Sequence, residues 1–147
     1  MIHDTPDDDI AELLRQSIGR FVRTVRARAD TLPPPQAAAL GVLDRDGPQT
    51  IARLAADRRI THQSMSRTVA ELEKRGFVAR RPNPADRRAV LIVPTPAGTE
   101  ALAADRDSRR RWVAAAIEEK LTAEERAILH AVPAVLDRLS EVDSPVT

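Results

Sequence analysis

The sequence predicts a mainly α-helical protein with one small β-hairpin, and two patterns in its 147 residues support this. Apolar residues recur every three or four positions through several long segments, as in amphipathic helices that pack against a core. Two short segments predicted as strands, 77–80 and the apolar, β-branched 89–93, flank a stretch of proline, asparagine and charged residues that suits a turn. The length fits one domain, or a small domain with added oligomerisation helices.

Prolines separate the first two predicted helices. An apolar stripe predicts a helix over 10–29, after an acidic lead-in at residues 1–9. The stripe consists of Ile10, Leu13, Leu14, Ile18, Phe21, Val22 and Val25. The prolines at 33–35 end this helix, since proline disfavours helix in the residue before it. They also suit the first turn of a second helix, predicted over 35–45.

A pair of short helices follows, predicted over 51–58 and 62–75. Thr50 and Thr61 can cap their amino ends, and Gly76 can end the second helix. The predicted buried seam of the second helix consists of Met65, Val69 and Leu72. Two helices joined by so short a turn form a helix-turn-helix, and the hairpin that follows directly makes the segment a winged helix.

Two further helices are predicted in the last third of the chain. Thr95-Pro96 opens a helix over 96–120. Its middle, 105–111, has no apolar residue and is expected to be solvated. Residues 122–125 fit a capping box for a last helix, which Pro133 should kink or interrupt.

The net charge of +1 conceals an uneven distribution of charge. Residues 58–88 contain nine basic and three acidic side chains, so this segment carries +6 and the rest of the chain carries −5. A positive segment in an otherwise acidic chain is the electrostatic signature of a surface that binds phosphates. The alternative is an ordinary solvated surface.

The composition excludes several classes of protein. The absence of Cys excludes a disulfide framework, Cys-ligated zinc and a thiol nucleophile. Neither a membrane-length apolar run nor a signal-peptide pattern is found, so we expect a cytoplasmic protein without a membrane partner. The three histidines are scattered and no glycine-rich phosphate loop occurs, so we expect neither an enzyme nor a metal or cofactor site.

The exposed face of helix 62–75 is the first candidate site. Gln63, Arg67 and Lys74 lie nearly opposite the buried seam, where an amide and a guanidinium can hydrogen-bond base edges of DNA. With flanking hydroxyls and phosphate-binding groups, the candidate residues are Thr61, His62, Gln63, Ser64, Ser66, Arg67, Thr68 and Lys74. Gln63 and Ser64 are also compatible with an ordinary surface.

The tip of the hairpin is the second candidate site. An arginine beside a Pro/Asn turn can enter a minor groove, where narrow A·T-rich geometry deepens the negative potential. Asp86 is expected to orient a neighbouring arginine by a salt bridge, and a bond to its own backbone is the compatible alternative. The candidate wing residues are Arg80, Arg81, Asn83, Asp86, Arg87 and Arg88.

The flanking helices carry more apolar surface than the winged helix can cover. Pairing with a second copy explains this economically, and an intramolecular helical subdomain is the alternative. The candidate dimerisation residues are Ile10, Leu14, Ile18, Ile117, Leu121, Leu129, Val132, Leu136 and Leu139. The predicted organisation is an N-terminal dimerisation helix (1–31), a winged helix-turn-helix DNA-binding domain (32–95) and C-terminal dimerisation helices (96–147).

Several local strings of the sequence form a characteristic series. They are Leu54-Ala55, Ser64-Met65-Ser66-Arg67-Thr68-Val69, Leu72-Glu73-Lys74-Arg75-Gly76-Phe77-Val78, Arg80, Asn83-Pro84-Ala85-Asp86-Arg87-Arg88-Ala89 and Thr95-Pro96-Ala97-Gly98. In this series the chain resembles the MarR family of bacterial transcriptional regulators. The resemblance covers nearly the whole chain, and the Leu-Glu-x-x-Gly to Asp-Arg-Arg spacing is its most specific part. The chain lacks the Cys of the peroxide-sensing branch. Pro94 replaces the usual Leu, which is expected to shorten the second wing strand.

The resemblance implies a homodimeric regulator, expected to be a repressor, that binds a pseudo-palindromic operator in double-stranded DNA. Ser64 and Arg67 match family positions on the recognition helix, and Asp86 and Arg88 match the Asp-x-Arg of the wing. It also implies a small phenolic or anionic effector that weakens operator binding. The candidate residues for an effector pocket are Phe21 and Trp112. The alternative function is a winged helix that binds another protein instead of specific DNA.

Overall fold

A computed structural model describes residues 6–141, which form seven helices and one β-hairpin. In chain order the elements are α1 (Pro6–Ala29), α2 (Pro34–Asp46), α3 (Ile51–Arg58), α4 (His62–Lys74), β1 (Val78–Asn83), β2 (Asp86–Pro94), α5 (Pro96–Lys120), α6 (Ala123–Leu129) and α7 (Val132–Ser140). The mainly helical class with a two-stranded antiparallel hairpin is confirmed. None of these helices is both long and apolar enough to cross a membrane.

The chain divides into two compact units, residues 1–110 and 111–147, and their boundary falls within α5. The predicted division at residues 31 and 95 separates DNA-binding from dimerisation segments. Because it is a functional division, it stays a prediction. The last residues of the predicted C-terminal segment, 142–147, lie outside the described residues.

The core of the first unit lies among α2, α3 and α4, where Leu40, Leu54, Met65 and Leu72 are almost fully buried. The hairpin and α5 add three further buried residues, Val78, Ile92 and Leu102. The predicted seam of α4 is confirmed, since each of its three residues is at most 1% exposed. Burial of this seam fixes which face of α4 is left for solvent or a partner.

The predicted caps are found at both short helices. The Thr50 hydroxyl accepts the Arg53 N–H, and the Thr61 hydroxyl accepts the Ser64 N–H, each at 3.1 Å. Gly76 follows α4 with a φ of +76°, a conformation that costs other residues strain.

Helix α1 begins earlier than predicted. It includes residues 6–9, which the prediction assigns to the lead-in; residues 1–5 lie outside the described residues. The aspartates at 7–9 occupy the first turn, where carboxylates interact favourably with the positive end of the helix dipole. Helix α2 likewise begins at Pro34, one residue before its predicted start.

The hairpin is also longer than predicted. β1 and β2 pair from Val78↔Pro94 to Pro82↔Val90 and, after a shift in register, at Asn83↔Asp86, so only residues 84–85 form the turn. Pro82 is tolerated because β1 is an edge strand, on which a residue without an N–H can face away from the ladder. The expectation that Pro94 shortens β2 is wrong, because Pro94 pairs at the end of the ladder, where the chain needs no further N–H.

The start of α5 rests on the backbone that joins α4 to β1. Thr95 donates its hydroxyl to the Gly76 carbonyl at 2.6 Å and its N–H to the Phe77 carbonyl at 3.0 Å. The same hydroxyl accepts the Gly98 N–H at 3.1 Å, which confirms the predicted start of α5. A Cβ on Gly98 would lie 2.0 Å from the Phe77 oxygen, so glycine is required for this close approach.

Asp105 shows that the middle of α5 is not uniformly solvated, contrary to the prediction. It is fully buried, and one carboxylate oxygen accepts the N–H groups of Thr31 (2.7 Å) and Leu32 (3.0 Å) and the Thr31 hydroxyl. The other oxygen accepts from Arg109. Burial alone would raise the pKa of Asp105, but these hydrogen bonds and the charge of Arg109 lower it below its usual value. This carboxylate therefore holds the α1–α2 loop against α5.

The second unit has little core of its own. Thr122 and Glu125 form the predicted capping box. The last helical segment is interrupted as predicted: α6 ends at Leu129, and α7 begins at Val132 with Pro133 in its first turn. Among residues 111–141 no residue is buried, although several are large and apolar.

We expect Asp105→Ala to lower the free energy of unfolding by about 3 kcal/mol, because it leaves buried donors and Arg109 without their acceptor. Asp107→Ala, a partly exposed position on the same helix, should change it by less than about 1 kcal/mol. Urea denaturation followed by circular dichroism measures both changes. Equal stability of the two variants would contradict the role assigned to Asp105.

Candidate nucleic-acid interface

Helix α4 presents two long polar side chains that no other described residue engages. Gln63 and Arg67 are exposed and lie one turn apart on the same face, and neither side chain bonds to another within residues 6–141. The amide and the guanidinium therefore project in one direction. Both groups can hydrogen-bond the edges of bases in a groove about as wide as a helix.

The hydroxyl groups on the first turns of α4 are partly engaged within the helix. Thr61 caps the helix and also donates to Ser64 Oγ at 2.9 Å. Ser66 Oγ lies 3.4 Å from His62 Nδ1. All four residues lie at the surface or half-buried, and each hydroxyl retains lone pairs for a partner.

Thr68 does not lie on the exposed face, contrary to the prediction that it contacts phosphate. It is only 7% exposed, and its hydroxyl donates to the Ser64 carbonyl at 3.2 Å. The reason is helical geometry, because Thr68 follows Met65 by three residues and precedes Leu72 by four. Its position therefore belongs to the buried seam.

The basic segment retains most of its charge for an external partner. Seven of its nine basic side chains are exposed and form neither an ion pair nor a side-chain hydrogen bond within the described part of the chain. They are Arg58, Arg59, Arg67, Lys74, Arg81, Arg87 and Arg88. Arg75 and Arg80 bind neighbouring side chains instead. Unpaired cations in this number favour a polyanionic partner.

The tip of the hairpin directs two of these arginines out of the ladder. The register shifts by three residues beyond Pro82↔Val90, so Arg87, Arg88 and Ala89 have no partner on β1. A bulge of this kind bends the strand and re-aims its side chains. The two arginines are accordingly exposed at the tip.

Asp86 and Asn83 shape this tip. The Asp86 carboxylate accepts the Arg88 N–H at 3.0 Å, and the Asn83 side chain accepts the Ala85 N–H at 3.0 Å. Asp86 forms no ion pair with any residue from 6 to 141, so the salt bridge predicted for it is not found. The alternative holds, because a carboxylate two residues before an N–H readily accepts it.

Two arginines connect α4 to its neighbours. Arg80 of β1 donates to both carboxylate oxygens of Glu73, at 3.2 and 3.1 Å. Arg75, just after α4, donates to the buried Gln36 of α2 at 2.8 Å. Its guanidinium also lies 4.7 Å from the centre of the Phe77 ring.

A cleft of about 710 Å³ opens beside α4 in the first unit. Pro34, Ile60 and Leu102 contribute apolar surface to it. Five arginines from four helices line it: Arg26, Arg58, Arg67, Arg106 and Arg109. The last two of these pair with Asp44 and Asp30, whereas the first three have no ion pair within residues 6–141.

The residues predicted to line an effector pocket lie outside this cleft. Phe21 is 52% exposed on α1, in the first unit, and Trp112 is half-buried on α5, in the second. Neither lines the cleft. That the two form a pocket stays a prediction.

The predicted dimerisation residues form apolar stripes that a single chain leaves accessible. On α1, Ile10 and Ile18 are exposed and Leu14 is half-buried. In the second unit Leu139 is 68% exposed, and the others are half-buried: Ile117, Leu121, Leu129, Val132 and Leu136. Apolar stripes of this extent are typical of surfaces that bind another protein.

Sequence reasoning missed the convergence of Arg26 and Arg58 with Arg67 at the cleft. The apolar periodicity shows which face of each helix is exposed, but not which exposed faces meet. The proline run after α1 was the one local signal that the chain turns back sharply there. No group of three or more His, Asp or Glu residues within 6–141 is arranged to hold a metal ion.

Known proteins share this sequence pattern. The MarR family model matches residues 30–89, which run from the end of α1 to the wing. A relative described as an HTH-type transcriptional regulator, from Mycobacterium leprae, is 33% identical to the chain over 140 residues. That match covers 92% of this chain and 96% of the relative.

Solved structures share the fold. A crystal structure from Pseudomonas aeruginosa PA01 has a TM-score of 0.80 at 27% identity, and the match covers 94% of this chain and 97% of that one. A MarR family protein from Bacillus stearothermophilus has a TM-score of 0.72 at 19% identity, with coverage of 96% and 100%. The chain thus belongs to the MarR family of DNA-binding transcriptional regulators.

Proposed function

We propose that the protein is a homodimeric, sequence-specific repressor that binds a pseudo-palindromic site in duplex DNA and is released by a small anionic molecule. The observation that carries this proposal is the set of seven exposed basic side chains on the helix-turn-helix and wing, which no acid within residues 6–141 neutralises. Contacts between such cations and phosphates release counterions, which drives binding to DNA.

The two elements have different tasks in the proposed complex. Helix α4 enters the major groove, with Gln63 and Arg67 in its first turns, where a recognition helix approaches base edges most closely. Arg87 and Arg88 reach from the bulge into the flanking minor groove. Three more basic residues contact phosphates and set the register: Arg59, Lys74 and Arg81.

A second copy of the chain is the proposed partner of the apolar stripes on α1, α6 and α7. No side chain of residues 111–141 is buried. The favourable free energy of burying their apolar surface is therefore gained only when a partner covers it. A two-fold symmetric dimer would present two α4 helices to successive turns of the duplex, about 34 Å apart. A pseudo-palindromic site matches that symmetry.

The cleft beside α4 is the proposed effector site. Arg26, Arg58 and Arg67, next to Pro34 and Ile60, suit an organic anion with an apolar body. Arg67 lines the cleft and also lies on the DNA-facing side of α4. An anion in the cleft would therefore compete with DNA for one guanidinium.

Arg67→Ala should weaken binding to a duplex enriched from a random-sequence pool by the unmodified protein. We expect a loss of about 1–3 kcal/mol and relaxed discrimination at one base pair. Arg88→Ala should weaken binding while the major-groove preference is retained. Fluorescence anisotropy over a series of salt concentrations measures affinity and salt dependence, which should be steep. Arg45→Ala, an exposed arginine paired with Asp46 on α2, is the control and should bind like the unmodified protein.

The interface is assigned wrongly if Arg67→Ala and Arg88→Ala both bind normally. A flat salt response, or equal affinity for a shuffled duplex, would argue for the alternative in which the winged helix binds another protein. A comparable loss in Arg45→Ala would mean that only total charge matters.

Charged substitutions on the exposed stripe of α7 should separate the proposed dimer. We expect Leu136→Arg combined with Leu139→Arg to give a monomer, since a charge cannot be buried without a partner. Asp137→Arg, on the polar side of the same helix, should remain dimeric. Sedimentation velocity measures the oligomeric state, and circular dichroism checks the helix content. A monomeric unmodified protein at micromolar concentration contradicts the dimer itself.

Benzoate, a flat organic anion, should lower the affinity for the enriched duplex, whereas benzyl alcohol, its uncharged counterpart, should not. Arg26→Ala, which changes the cleft but not the DNA-facing surface, should bind the duplex normally and lose most of the response to benzoate. Titrations at constant ionic strength measure both. A response that persists unchanged in Arg26→Ala, or no response to benzoate at all, rejects this cleft as the site for such an anion.

A further inference from the structure

We propose that Arg80 is a positioning residue, which fixes the wing relative to the recognition helix through Glu73, and that it does not itself contact DNA. This inference rests on the proposed DNA interface and assigns a different task to one of its arginines. Arg80 and its neighbour Arg81 are indistinguishable by residue type, so the difference between them lies in the structure.

The pairing of the hairpin determines the direction of Arg80. Arg80 is opposite Ile92 in the ladder and two residues after Val78. Because side chains alternate along a strand, all three lie on one face of the hairpin. Val78 and Ile92 are buried in the core, so this is the face that packs on the helices. Arg81 lies on the opposite face, exposed and without an ion pair within residues 6–141.

The Glu73 carboxylate accepts the Nε–H of Arg80 and neutralises much of the charge that a phosphate would otherwise meet there. The guanidinium Nε lies 3.2 and 3.1 Å from the two carboxylate oxygens. Among the described residues, these two bonds are the only side-chain hydrogen bonds between the hairpin and α4. The pairing also explains why Glu73 is found on α4, in a segment whose other exposed charges are mostly unpaired cations. Without Arg80, the Glu73 carboxylate would repel phosphates.

The Arg80–Glu73 pair lies part-way along the hairpin, where it can restrain the position of the tip. The base of the hairpin is already fixed, because Thr95 bonds the carbonyls of Gly76 and Phe77. The tip with Arg87 and Arg88 lies about 10 Å beyond Arg80, at roughly 3.3 Å per residue. At the same level β2 is held by Ile92, which exchanges backbone hydrogen bonds with Gln49 at 2.7 and 3.2 Å. Arg80–Glu73 is the restraint on the β1 side, the one that links the hairpin directly to α4 and so limits how far the tip arginines can move relative to that helix.

An ion pair this exposed contributes little to folding stability, so its effect is expected in DNA binding. If the wing were free to tilt, it would lose conformational entropy when it became ordered on the duplex, and this loss would weaken binding. Holding α4 and the wing in one arrangement removes that cost for both grooves at once.

A charge exchange across the pair tests the proposal, with the enriched duplex as the probe. Arg80→Glu should lower affinity by about tenfold or more, because two carboxylates then repel each other across the junction. Adding Glu73→Arg to it should restore affinity to within about threefold, since the pair is remade with reversed polarity. In the matched control, Arg81→Glu should weaken binding and should not be rescued by Glu73→Arg. Thermal unfolding of all variants should occur within a few degrees of the unmodified protein.

The salt dependence separates positioning from contact. Arg80→Gln should lower affinity while the slope of log K against log salt stays unchanged, and Glu73→Gln should lower it to a similar degree. A slope that falls by about one in Arg80→Gln, with tighter binding by Glu73→Gln, would show that Arg80 contacts a phosphate. Failure of the double exchange to rescue Arg80→Glu would overturn the proposal as well. If Arg67→Ala and Arg88→Ala bind normally, the DNA interface fails and this inference falls with it; if only the exchange pattern fails, the interface stands.

Discussion

The backbone junction at Gly76 and Phe77 is the contact on which the functional surface depends. Helix α4 ends there with a left-handed glycine, the wing begins, and α5 lies so close that residue 98 cannot carry a side chain. Thr95 bonds both carbonyls of the junction. The end of α4 and the base of the wing are therefore fixed by backbone contacts, and not by the long exposed side chains proposed to contact DNA. Those side chains remain available to a partner.

For the basic segment 58–88, the partners of each charged side chain are more informative about binding than the number of charges. Two of the nine basic groups in residues 58–88 are used inside the protein, one with Glu73 and one with Gln36. These two organise α4 against β1 and α2. The remaining seven are accessible, so most of the positive charge of the segment is available to an external anion. A protein of net charge +1 can carry a basic DNA-binding segment because most of its acids lie elsewhere along the chain.

Most of the fold could be predicted because its signals are local. The periodicity of α4, the threonine caps and Gly76 each depend on neighbouring residues, and the structure confirms them. The errors arose where distant residues decide. Asp105 looked solvated because its partners, Thr31 and Leu32, are more than 70 positions away in the sequence. The prolines that suggested a short hairpin lie where the ladder does not need their N–H groups.

The candidate site shows the same limit. The sequence identified the arginines of the wing, but residue type alone could not separate Arg80, which faces Glu73, from Arg81, which faces solvent. Separation requires the register of the hairpin, since a shift of one residue would exchange their faces. Likewise, Thr68 matched the polar pattern of α4 although its position belongs to the buried seam.

The cleft and the proposed DNA-facing surface meet at Arg67, and this limits how the proposed release can work. A guanidinium that binds a carboxylate in the cleft cannot also make a bidentate contact to a base, so occupancy would lower operator affinity without any large movement. Another lining residue of the cleft is placed differently. Arg109 is held by Asp30 and Asp105, which fix the α1–α2 loop. An anion that draws Arg109 away would loosen that loop, whereas one bound only by Arg26, Arg58 and Arg67 would compete with DNA directly. Direct competition raises the apparent dissociation constant without limit as the anion concentration rises, and coupling through the loop reaches a plateau.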